Sequence, residues 1–384
     1  MDFVAKYNDL MKAVQSCSRV IVSASPSPIL TNILIDCNSR KDEGLVRLFA
    51  TDLEMYYETF VPAEIKVTGE VMISAKIFTE VLGSFSGDND LSVSCNKENF
   101  NIEIKGGKSE TKCTLFGLPP DDFPNLPPVE KLYTFKFSLT RLQSMIRDTL
   151  YAASTEQVKP AYCGMCLKVL NNGLRSISTD GKRLAFCEFS MPETQTLEQN
   201  EIIIMAKVLH EISKSAADPS GDDIDISICS NQIAFQAKNY SYYARLIEGK
   251  FPDYNQVIPK DVKIKLTAKV GETTDNLKKM LPIARENGFT IKMNVASDAI
   301  TCTAKSTKMG SMVSKSPVSM HQGSDFEINF NVRFFIDILN TIKSEECVME
   351  FTNPQAPVKI YPQQEITNEN HIHILMPVRP GFNM

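Results

Sequence analysis

The sequence predicts an α+β fold made of three repeated units, each with two helices and several short strands. Two pairs of residues recur at one spacing. Thr51-Asp52 returns as Thr179-Asp180, and Phe123-Pro124 returns as Phe251-Pro252, in both cases after about 128 residues. Three units of this length fill the 384-residue chain.

A third pattern supports the repeat and sets its boundaries. An extended apolar stretch, a basic residue and a helical apolar stripe follow one another in VMISAKIFTEVL, IIIMAKVLHEIS and EINFNVRFFIDIL. The basic residues are Lys76, Lys207 and Arg333. Proline-rich breaks in periodicity occur near 119–131 and 249–262, as expected at domain boundaries. The predicted domains are 1–128, 129–255 and 256–384.

Each unit opens with a segment typical of an amphipathic helix, namely YNDLMKAVQSCSRV, LTRLQSMIRDTLYAAS and TTDNLKKMLPIARENG. In the second segment, Leu139, Leu142, Met145 and Ile146 follow the i, i+3, i+4 spacing of a helix that is buried along one side, and Thr149 and Leu150 continue it. Alternating stretches such as LSVSC and IDISI predict the strands.

The turn TDGKR, residues 179–183, is the strongest local signal, because Asp-Gly favours a tight turn and glycine adopts a positive φ without steric cost. Turn geometry does not account for Lys182 and Arg183. The third unit has no Thr-Asp pair, and its corresponding stretch is ITCTAKSTKMG.

Composition limits the class of protein. The net charge is −5, no apolar run is long enough to span a membrane, and the first residues lack an apolar signal core, so we expect a cytoplasmic protein. The ten cysteines are scattered in strand-like surroundings and are expected to be small core residues. Cys163 and Cys166 have CxxC spacing, and His371 and His373 share a strand face. A redox or zinc site at the cysteines and a metal site at the histidines stay open alternatives, although we expect neither metal nor cofactor.

The usual enzyme signatures are missing, since the sequence contains no Walker A motif, no GxGxxG after a strand, no HExxH and no GxSxG. We therefore expect a protein that is not an enzyme. The alternative is a nucleic-acid-processing enzyme that uses Asp52 and Asp180 as metal carboxylates.

The predicted helices carry many bases although the chain is acidic. This pattern favours a basic surface that accepts phosphates of double-stranded DNA without reading sequence. The alternative for each helix is an ordinary solvated face. The DNA-facing set comprises Lys12, Lys76, Arg141, Arg147, Lys207, Lys214, Lys278, Lys279 and Arg333.

Four stretches occur in the order and spacing of a known family: TDLEM (51–55), TDGKRLA (179–185), FPDYNQVIPK (251–260) and ILMPVR (374–379). With SPILTNILI near the start, they make the chain resemble the bacterial replicative sliding clamps, the β subunits of DNA polymerase III. The resemblance runs from Met1 to about Arg379.

The resemblance implies three clamp domains, each with two helices on antiparallel sheets, in a head-to-tail homodimeric ring. The helices would line the hole of the ring. The ring would encircle duplex DNA and slide along it. The implied partners are the polymerase III catalytic subunit, the clamp-loader complex and other proteins that carry a clamp-binding motif. The alternative is a peptide-binding scaffold on the clamp fold that does not encircle DNA.

The resemblance also implies a pocket for partner peptides between the second and third domains. Its predicted residues are Tyr162, Thr179, Gly181, Lys182, Arg183, Leu184, Pro252, Val257, Phe334, Ile374, Met376, Pro377, Val378 and Arg379. Leu184 and Val257 alternatively belong to the core. By position in the family, Leu115 and Ile283 are predicted at the dimer interface.

Three features depart from the family pattern. Tyr162 replaces a smaller aliphatic residue, Gln256 replaces a frequent arginine, and the residues Pro380 to Met384 extend the usual end. These features affect the expected motif preference rather than the fold.

Overall fold

The computed structural model describes residues 1–21, 27–85, 90–106, 111–191, 201–216, 221–363 and 369–379. The chain divides into two compact units. The first unit contains Met1–Thr140 and His210–Leu246, and the second contains Arg141–Leu209 and Ile247–Met384. The C-terminal extension from Pro380 onward lies outside the described residues.

Two helices occur in each predicted unit, as the sequence indicated. The α-helices of the described residues are α1 Tyr7–Val20, α2 Ala75–Ser84, α3 Leu139–Thr149, α4 Ala206–Lys214, α5 Val270–Ala284 and α6 Val332–Thr341. The predicted stripe of α3 is buried, with Leu142 and Met145 completely enclosed, whereas Arg141 and Arg147 on the same helix are exposed. Burying each such apolar side chain stabilises the fold by roughly 1.5–3 kcal/mol.

The strands of the described residues are β1 Asp2–Lys6, β2 Asn32–Asp36, β3 Leu45–Thr51, β4 Met55–Val67, β5 Glu70–Ser74, β6 Asp90–Cys95, β7 Asn101–Gly106, β8 Thr111–Phe116, β9 Lys131–Ser138, β10 Gly164–Leu170, β11 Gly173–Thr179, β12 Arg183–Ser190, β13 Glu201–Met205, β14 Asp223–Cys229, β15 Gln232–Gln236, β16 Tyr240–Arg245, β17 Ile264–Lys269, β18 Thr290–Val295, β19 Ala299–Ser306, β20 Gly310–Gln322, β21 Phe326–Asn331, β22 Glu346–Phe351, β23 Val358–Pro362 and β24 Glu369–Leu375.

Each of the two compact units contains one antiparallel sheet of 12 described strands. In the first unit the order is β8-β7-β6-β1-β4-β16-β15-β14-β9, with β3 paired to β4 and β2 joining β3 to β5. In the second unit it is β13-β10-β11-β12-β24-β23-β22-β17-β20-β19-β18-β21. On β6 of the first sheet, Leu91, Val93 and Cys95 are buried and alternate with more exposed residues, so one face of this strand packs on a core.

The middle third of the chain contributes to both sheets. Strands β9 and β14–β16 belong to the sheet of the first unit, and β10–β13 belong to that of the second. The two compact units therefore divide the chain differently from the three predicted domains, whose exact boundaries stay a prediction. The predicted α+β class is confirmed, because each of the three predicted domains contains two helices and the strands form antiparallel sheets.

Candidate functional site

The turn between β11 and β12 is locked by its own side chains. The Thr179 hydroxyl donates to the Arg183 carbonyl at 2.7 Å and accepts from the Gly181 amide at 3.0 Å. Oδ1 of Asp180 accepts from the amides of Lys182 and Arg183 at 2.8 and 2.9 Å. Gly181 has φ +84°, a left-handed conformation that side chains rarely adopt, which explains the glycine. The turn therefore presents Lys182 and Arg183 in a defined geometry.

The same turn occurs in the first repeat. Thr51 donates to the Met55 carbonyl at 2.9 Å, and Oδ1 of Asp52 accepts from the Glu54 and Met55 amides at 3.1 and 2.8 Å. Leu53 occupies the position of the glycine at φ 76°. The carboxylates of both repeats thus cap turns, which gives them a structural role. No cluster of three metal-ligating side chains occurs within the described ranges.

The third repeat keeps part of this turn although the Thr-Asp pair is missing. The Ser306 hydroxyl accepts from the amides of Lys308 and Met309 at 3.2 and 3.1 Å, so a serine replaces the aspartate. The sequence motif is lost, but two of its hydrogen bonds remain.

The residues after β24 lie against the turn in the second unit. In the pairing of β12 with β24, Leu184 is opposite Ile374. Beyond the strand, the Met376 amide donates to the Lys182 carbonyl at 2.9 Å, and the Val378 amide donates to the Asn329 carbonyl at 2.8 Å. The TDGKR turn and the MPVR segment, which are far apart in sequence, are therefore direct neighbours.

Arg183 connects this turn to α6. Its Nε donates to Asp180 at 3.0 Å and its Nη1 donates to Asp337 at 2.5 Å. The guanidinium carbon lies 4.4 Å from the ring centre of Phe334 and 5.3 Å from that of Tyr151. The Arg183 side chain is only 11% exposed, so its charge is already matched inside the chain before any partner binds.

The linker segment contributes apolar residues that pack next to the TDGKR turn. Phe251 and Tyr254 are buried in one cluster with Leu184 and Ile374, and Val257 packs against that cluster. Asp253 caps the short 3₁₀ helix Tyr254–Val257 by accepting from the Asn255 amide at 3.2 Å.

Gln256, which replaces the frequent arginine, also donates to Asp253, at 2.9 Å. It therefore contributes an uncharged donor to a carboxylate within the linker.

The predicted pocket residues separate by exposure. Thr179, Leu184 and Ile374 are buried, so they support the site from the core. The others are half-buried or exposed: Tyr162, Gly181, Lys182, Arg183, Pro252, Val257, Phe334, Met376, Pro377, Val378 and Arg379. The partial exposure of the apolar members agrees with a site for short peptide anchors, and Met376 has an adaptable side chain, but the role of these residues stays a prediction.

The DNA-facing set lies on the solvent side of the six helices. Eight of its nine members are exposed, and Lys207 is half-buried. Lys278 lies 3.9 Å from Asp275, and Arg147 is held by Asp148 and Ser144. The exposure agrees with a phosphate-binding surface as well as with an ordinary solvated face, so the role of these residues stays a prediction.

The two residues predicted at the dimer interface are only partly exposed. Leu115 and Ile283 are half-buried, and Ile283 packs against the core of the second unit. Phe116, next to Leu115 at the end of β8, is 86% exposed. Sequence reasoning missed Phe116, although an aromatic residue at a strand end next to a Gly-Leu-Pro-Pro stretch was a usable signal.

The histidine pair of β24 lies inside the second unit. His373 is completely buried, with Nδ1 2.9 Å from the Tyr151 hydroxyl and Nε2 3.3 Å from the Thr341 hydroxyl. Burial, with a smaller contribution from the neighbouring His371, lowers the pKa of His373 to about 3. His371 lies 3.3 Å from the buried carboxylate of Asp148. Both histidine rings therefore lie next to polar side chains of the protein interior.

The CxxC pair does not act as a unit. Cys166 is buried on β10, and burial raises the pKa of its thiol, whereas the half-buried Cys163 precedes the strand and donates to the Glu156 carbonyl at 3.1 Å. Burial of this kind is typical of an unreactive structural thiol at Cys166. In the part of the chain that the structure covers, no helix has the length and apolar character to cross a membrane.

Comparison with known proteins covers the whole chain. Models of the DNA polymerase III beta subunit match in succession: the N-terminal domain at residues 1–127, the central domain at 137–253 and the C-terminal domain at 255–379. The beta sliding clamp of Staphylococcus aureus is 28% identical over 386 residues, covering 98% of this chain and 97% of the relative.

Solved structures agree on the fold. The DNA polymerase sliding clamp of Bacillus subtilis is 25% identical with a TM-score of 0.89, covering 99% of both chains. The beta subunit of the DNA polymerase of Streptococcus pyogenes is 23% identical with a TM-score of 0.90, covering 99% of this chain and 100% of the other.

Proposed function

The chain belongs to the DNA polymerase III beta subunit family, and we propose that it acts as a DNA sliding clamp. Two copies form a ring around duplex DNA and tether the replicative polymerase to its template. The observation that carries this proposal is the ordered succession of three matching domain models along one chain. The protein contributes no catalytic step, and it works in the cytoplasm with the replication machinery.

Ring closure is supported by two strand edges. Strand β8 ends the sheet of the first unit and carries the exposed Phe116. In the second unit, β20 bonds to β19 from Gly310 to Pro317, and its pairing with β17 starts only at Val318. Val313 in the first half of β20 is 63% exposed. Exposed edges of this kind pair readily with another chain, and one edge in each unit permits head-to-tail closure.

The hole is proposed to be lined by the DNA-facing set. Lysine and arginine on solvent faces bind backbone phosphates without reading bases, which lets a ring slide along any sequence. The six helices carry these cations in every repeat, so the duplex would meet positive charge in all three domains. An acidic chain with basic helices also repels DNA elsewhere on its surface.

The surface around the TDGKR turn and the MPVR segment is proposed to bind partner motifs. The half-buried Met376, Val378 and Val257 offer apolar contacts, and Arg379 offers an exposed charge. The partners would be the polymerase III catalytic subunit, the clamp loader and other proteins with a short clamp-binding motif. A contact with few anchors gives micromolar affinity.

Primer extension tests the function. The polymerase of the source organism is given a primed circular template with its clamp loader, with and without the protein. Product length per binding event rises with a sliding clamp and is measured under a competitor trap. Unchanged product length would contradict the proposed role. A scaffold that does not encircle DNA has no specific support in the structure.

A further inference from the structure

A cavity of about 570 Å³ lies in the first unit beside α1. Its walls come from α1, from β4, from the turn before β16 and from the end of α4. This volume is typical of a small-molecule site and accommodates one nucleotide. The cavity is separate from the surface around the TDGKR turn, which belongs to the second unit.

The rim of the cavity carries three cations. Lys12 is exposed and makes no ion pair within the described ranges. Arg19 donates through Nε to Glu211 at 2.8 Å and through Nη2 to Ser16 at 3.0 Å. Lys214 donates to the other oxygen of Glu211 at 2.9 Å.

Glu211 fixes two of these cations. Its side chain is only 8% exposed, so it holds Arg19 and Lys214 from inside the protein and leaves their outer sides to solvent. Against the three cations stand the carboxylates of Glu211 and Asp9. The rim therefore keeps one excess positive charge, which suits a phosphate group.

Tyrosines line the inner wall. The ring centres of Tyr57 and Tyr242 are 4.5 Å apart, and that of Tyr240 lies 5.7 Å from Tyr242. Tyr57 and Tyr242 are buried, and burial raises the pKa of Tyr242 to about 12, so it stays a neutral hydroxyl. Tyr240 is half-exposed and lines the cavity. The wall thus combines a rigid aromatic base with one accessible ring.

We propose that this cavity binds a nucleotide unit of single-stranded DNA, with the base against Tyr240 and its phosphate at Lys12 and Arg19. A base inside a duplex is stacked and cannot enter a cavity, whereas an unpaired base stacks on aromatic rings with a gain of roughly 1–3 kcal/mol. The cavity thereby distinguishes single strands from the duplex that the ring encircles. The assignment of DNA as the source of the nucleotide rests on the proposed clamp function. The chemistry of binding in the cavity does not depend on that function.

The test is direct binding to the unloaded protein. The probe is a fluorescein-labelled thymidine decanucleotide, and anisotropy is measured over a range of salt concentrations. Tyr240→Ala is expected to weaken binding by about tenfold, and Tyr240→Phe by about twofold or less, because stacking needs the ring and not the hydroxyl. Tyr133→Ala is the matched control, since Tyr133 is a half-exposed tyrosine of β9 in the same unit, outside the cavity.

Lys12→Gln gives a second measurement on a side chain whose replacement leaves the core intact. It is expected to lower the salt slope of oligonucleotide binding by about 0.7, the value for one phosphate contact on a single strand. Thymidine monophosphate, titrated alone, separates a free nucleotide from a strand, and it is expected to bind at least about tenfold more weakly because it makes one contact instead of several.

Unchanged affinity in both Tyr240→Ala and Lys12→Gln overturns the proposal. Equal affinity for the mononucleotide and the decanucleotide overturns the assignment to a DNA strand. Retention of the same proteins on duplex circles is measured separately. Wild-type protein that binds the decanucleotide but is not retained on circles contradicts the clamp function and leaves the cavity assignment standing.

Discussion

The guanidinium of Arg183 on β12 is paired with the carboxylate of Asp337 on α6, with Nη1 2.5 Å from Oδ2. The pair joins the TDGKR turn to the last helix, and 154 residues separate its members. An acidic group of a partner peptide must compete with Asp337 for this arginine. The free chain thus holds the main cation of the turn in a neutralised state.

Replacing Asp337 by asparagine should strengthen the binding of an acidic partner peptide. The substitution removes one of the two carboxylates paired with Arg183, and because Asp180 remains and Asp337 is 44% exposed the gain is modest, about threefold. Titration of a labelled peptide that contains one aspartate measures it at low salt. Asp275→Asn on α5 is the control, since Asp275 is also an exposed acid beside a cation. Equal affinities for wild type and Asp337→Asn would show that Arg183 does not contact the peptide's acid.

Met376→Ala should weaken binding of a peptide with a glutamine and apolar anchors by about tenfold, because it removes a half-buried apolar contact at the edge of the turn. Isothermal titration measures the affinity, and Met320→Ala, at an exposed methionine of β20, is the control. Leu184→Ala is unsuitable as a test because Leu184 is buried, and its loss would cost about 2–5 kcal/mol of folding free energy. Wild-type affinity in Met376→Ala would exclude this surface as the apolar anchor site.

Charge reversal of Lys76, Lys207 and Arg333 to glutamate should weaken retention on DNA. Each lost phosphate contact should lower the salt slope of DNA association by roughly one. Filter binding of loaded complexes over a salt series measures the slope.

The control for this triple variant makes the same charge change elsewhere. Lys97, Lys238 and Lys308 are exposed lysines in the loops that join β6 to β7, β15 to β16 and β19 to β20. Their reversal to glutamate should leave the slope nearly unchanged. Identical slopes in the two triple variants would mean that the helices do not face the duplex.

Phe116→Glu should halve the mass of the protein in solution. A carboxylate at the end of β8 cannot be buried against a second copy without a large desolvation cost. Sedimentation equilibrium at micromolar concentration measures the mass. Leu132→Glu is the control, since Leu132 is 60% exposed on β9, which also ends the sheet of the first unit. A dimer that survives Phe116→Glu would place the interface elsewhere.

His373 should make the fold less stable as the pH falls. Its pKa is lowered to about 3 in the folded state by burial and by His371, while an unfolded histidine titrates near pH 6.5. Between these values the unfolded chain binds one proton more than the folded chain, so the free energy of unfolding falls by up to about 1.4 kcal/mol for each pH unit. Asp148, Tyr151 and Thr341 are the other polar groups facing the pair of histidine rings.

Chemical denaturation from pH 7.5 to 4.5 measures this dependence. His373→Gln should lower stability at neutral pH, because its hydrogen bonds change, but it should flatten the slope between these limits. His210→Gln, at an exposed histidine of α4, should keep the wild-type slope. A slope in His373→Gln equal to that of wild type would assign the acid sensitivity to other groups.

Local patterns predicted the helices and the turns well. The helix α1 begins and ends with the predicted segment, and the stripe of α3 is buried, because burial along one helix side leaves a periodic trace in the sequence. The geometry of Asp180 follows likewise from the Asp-Gly signal. The turn at Ser306 was not foreseen, since a serine hydroxyl replaces the carboxylate that identified the other two.

Local sequence patterns could not predict the contacts between distant segments. The pairing of β4 with β16 brings Thr59 against Tyr240, and the bond from Arg183 to Asp337 links a turn to a helix face. Neither leaves a periodic signal, because the partners belong to different elements far apart in the chain. The resemblance to the clamp family supplied the predicted residues of a peptide site, which stays a prediction, but not the internal partner of Arg183 or the exposure of Phe116.

Retention on circular and linear DNA tests the central claim, a closed ring around duplex DNA, most directly. The protein is loaded onto a nicked circular plasmid, passed through a gel-filtration column at moderate salt, and measured again after one restriction cut. The account predicts that the protein stays with the circle and leaves within minutes once the ends are free. Equal retention on both forms would show binding by surface contact instead of encirclement, and it would contradict the account.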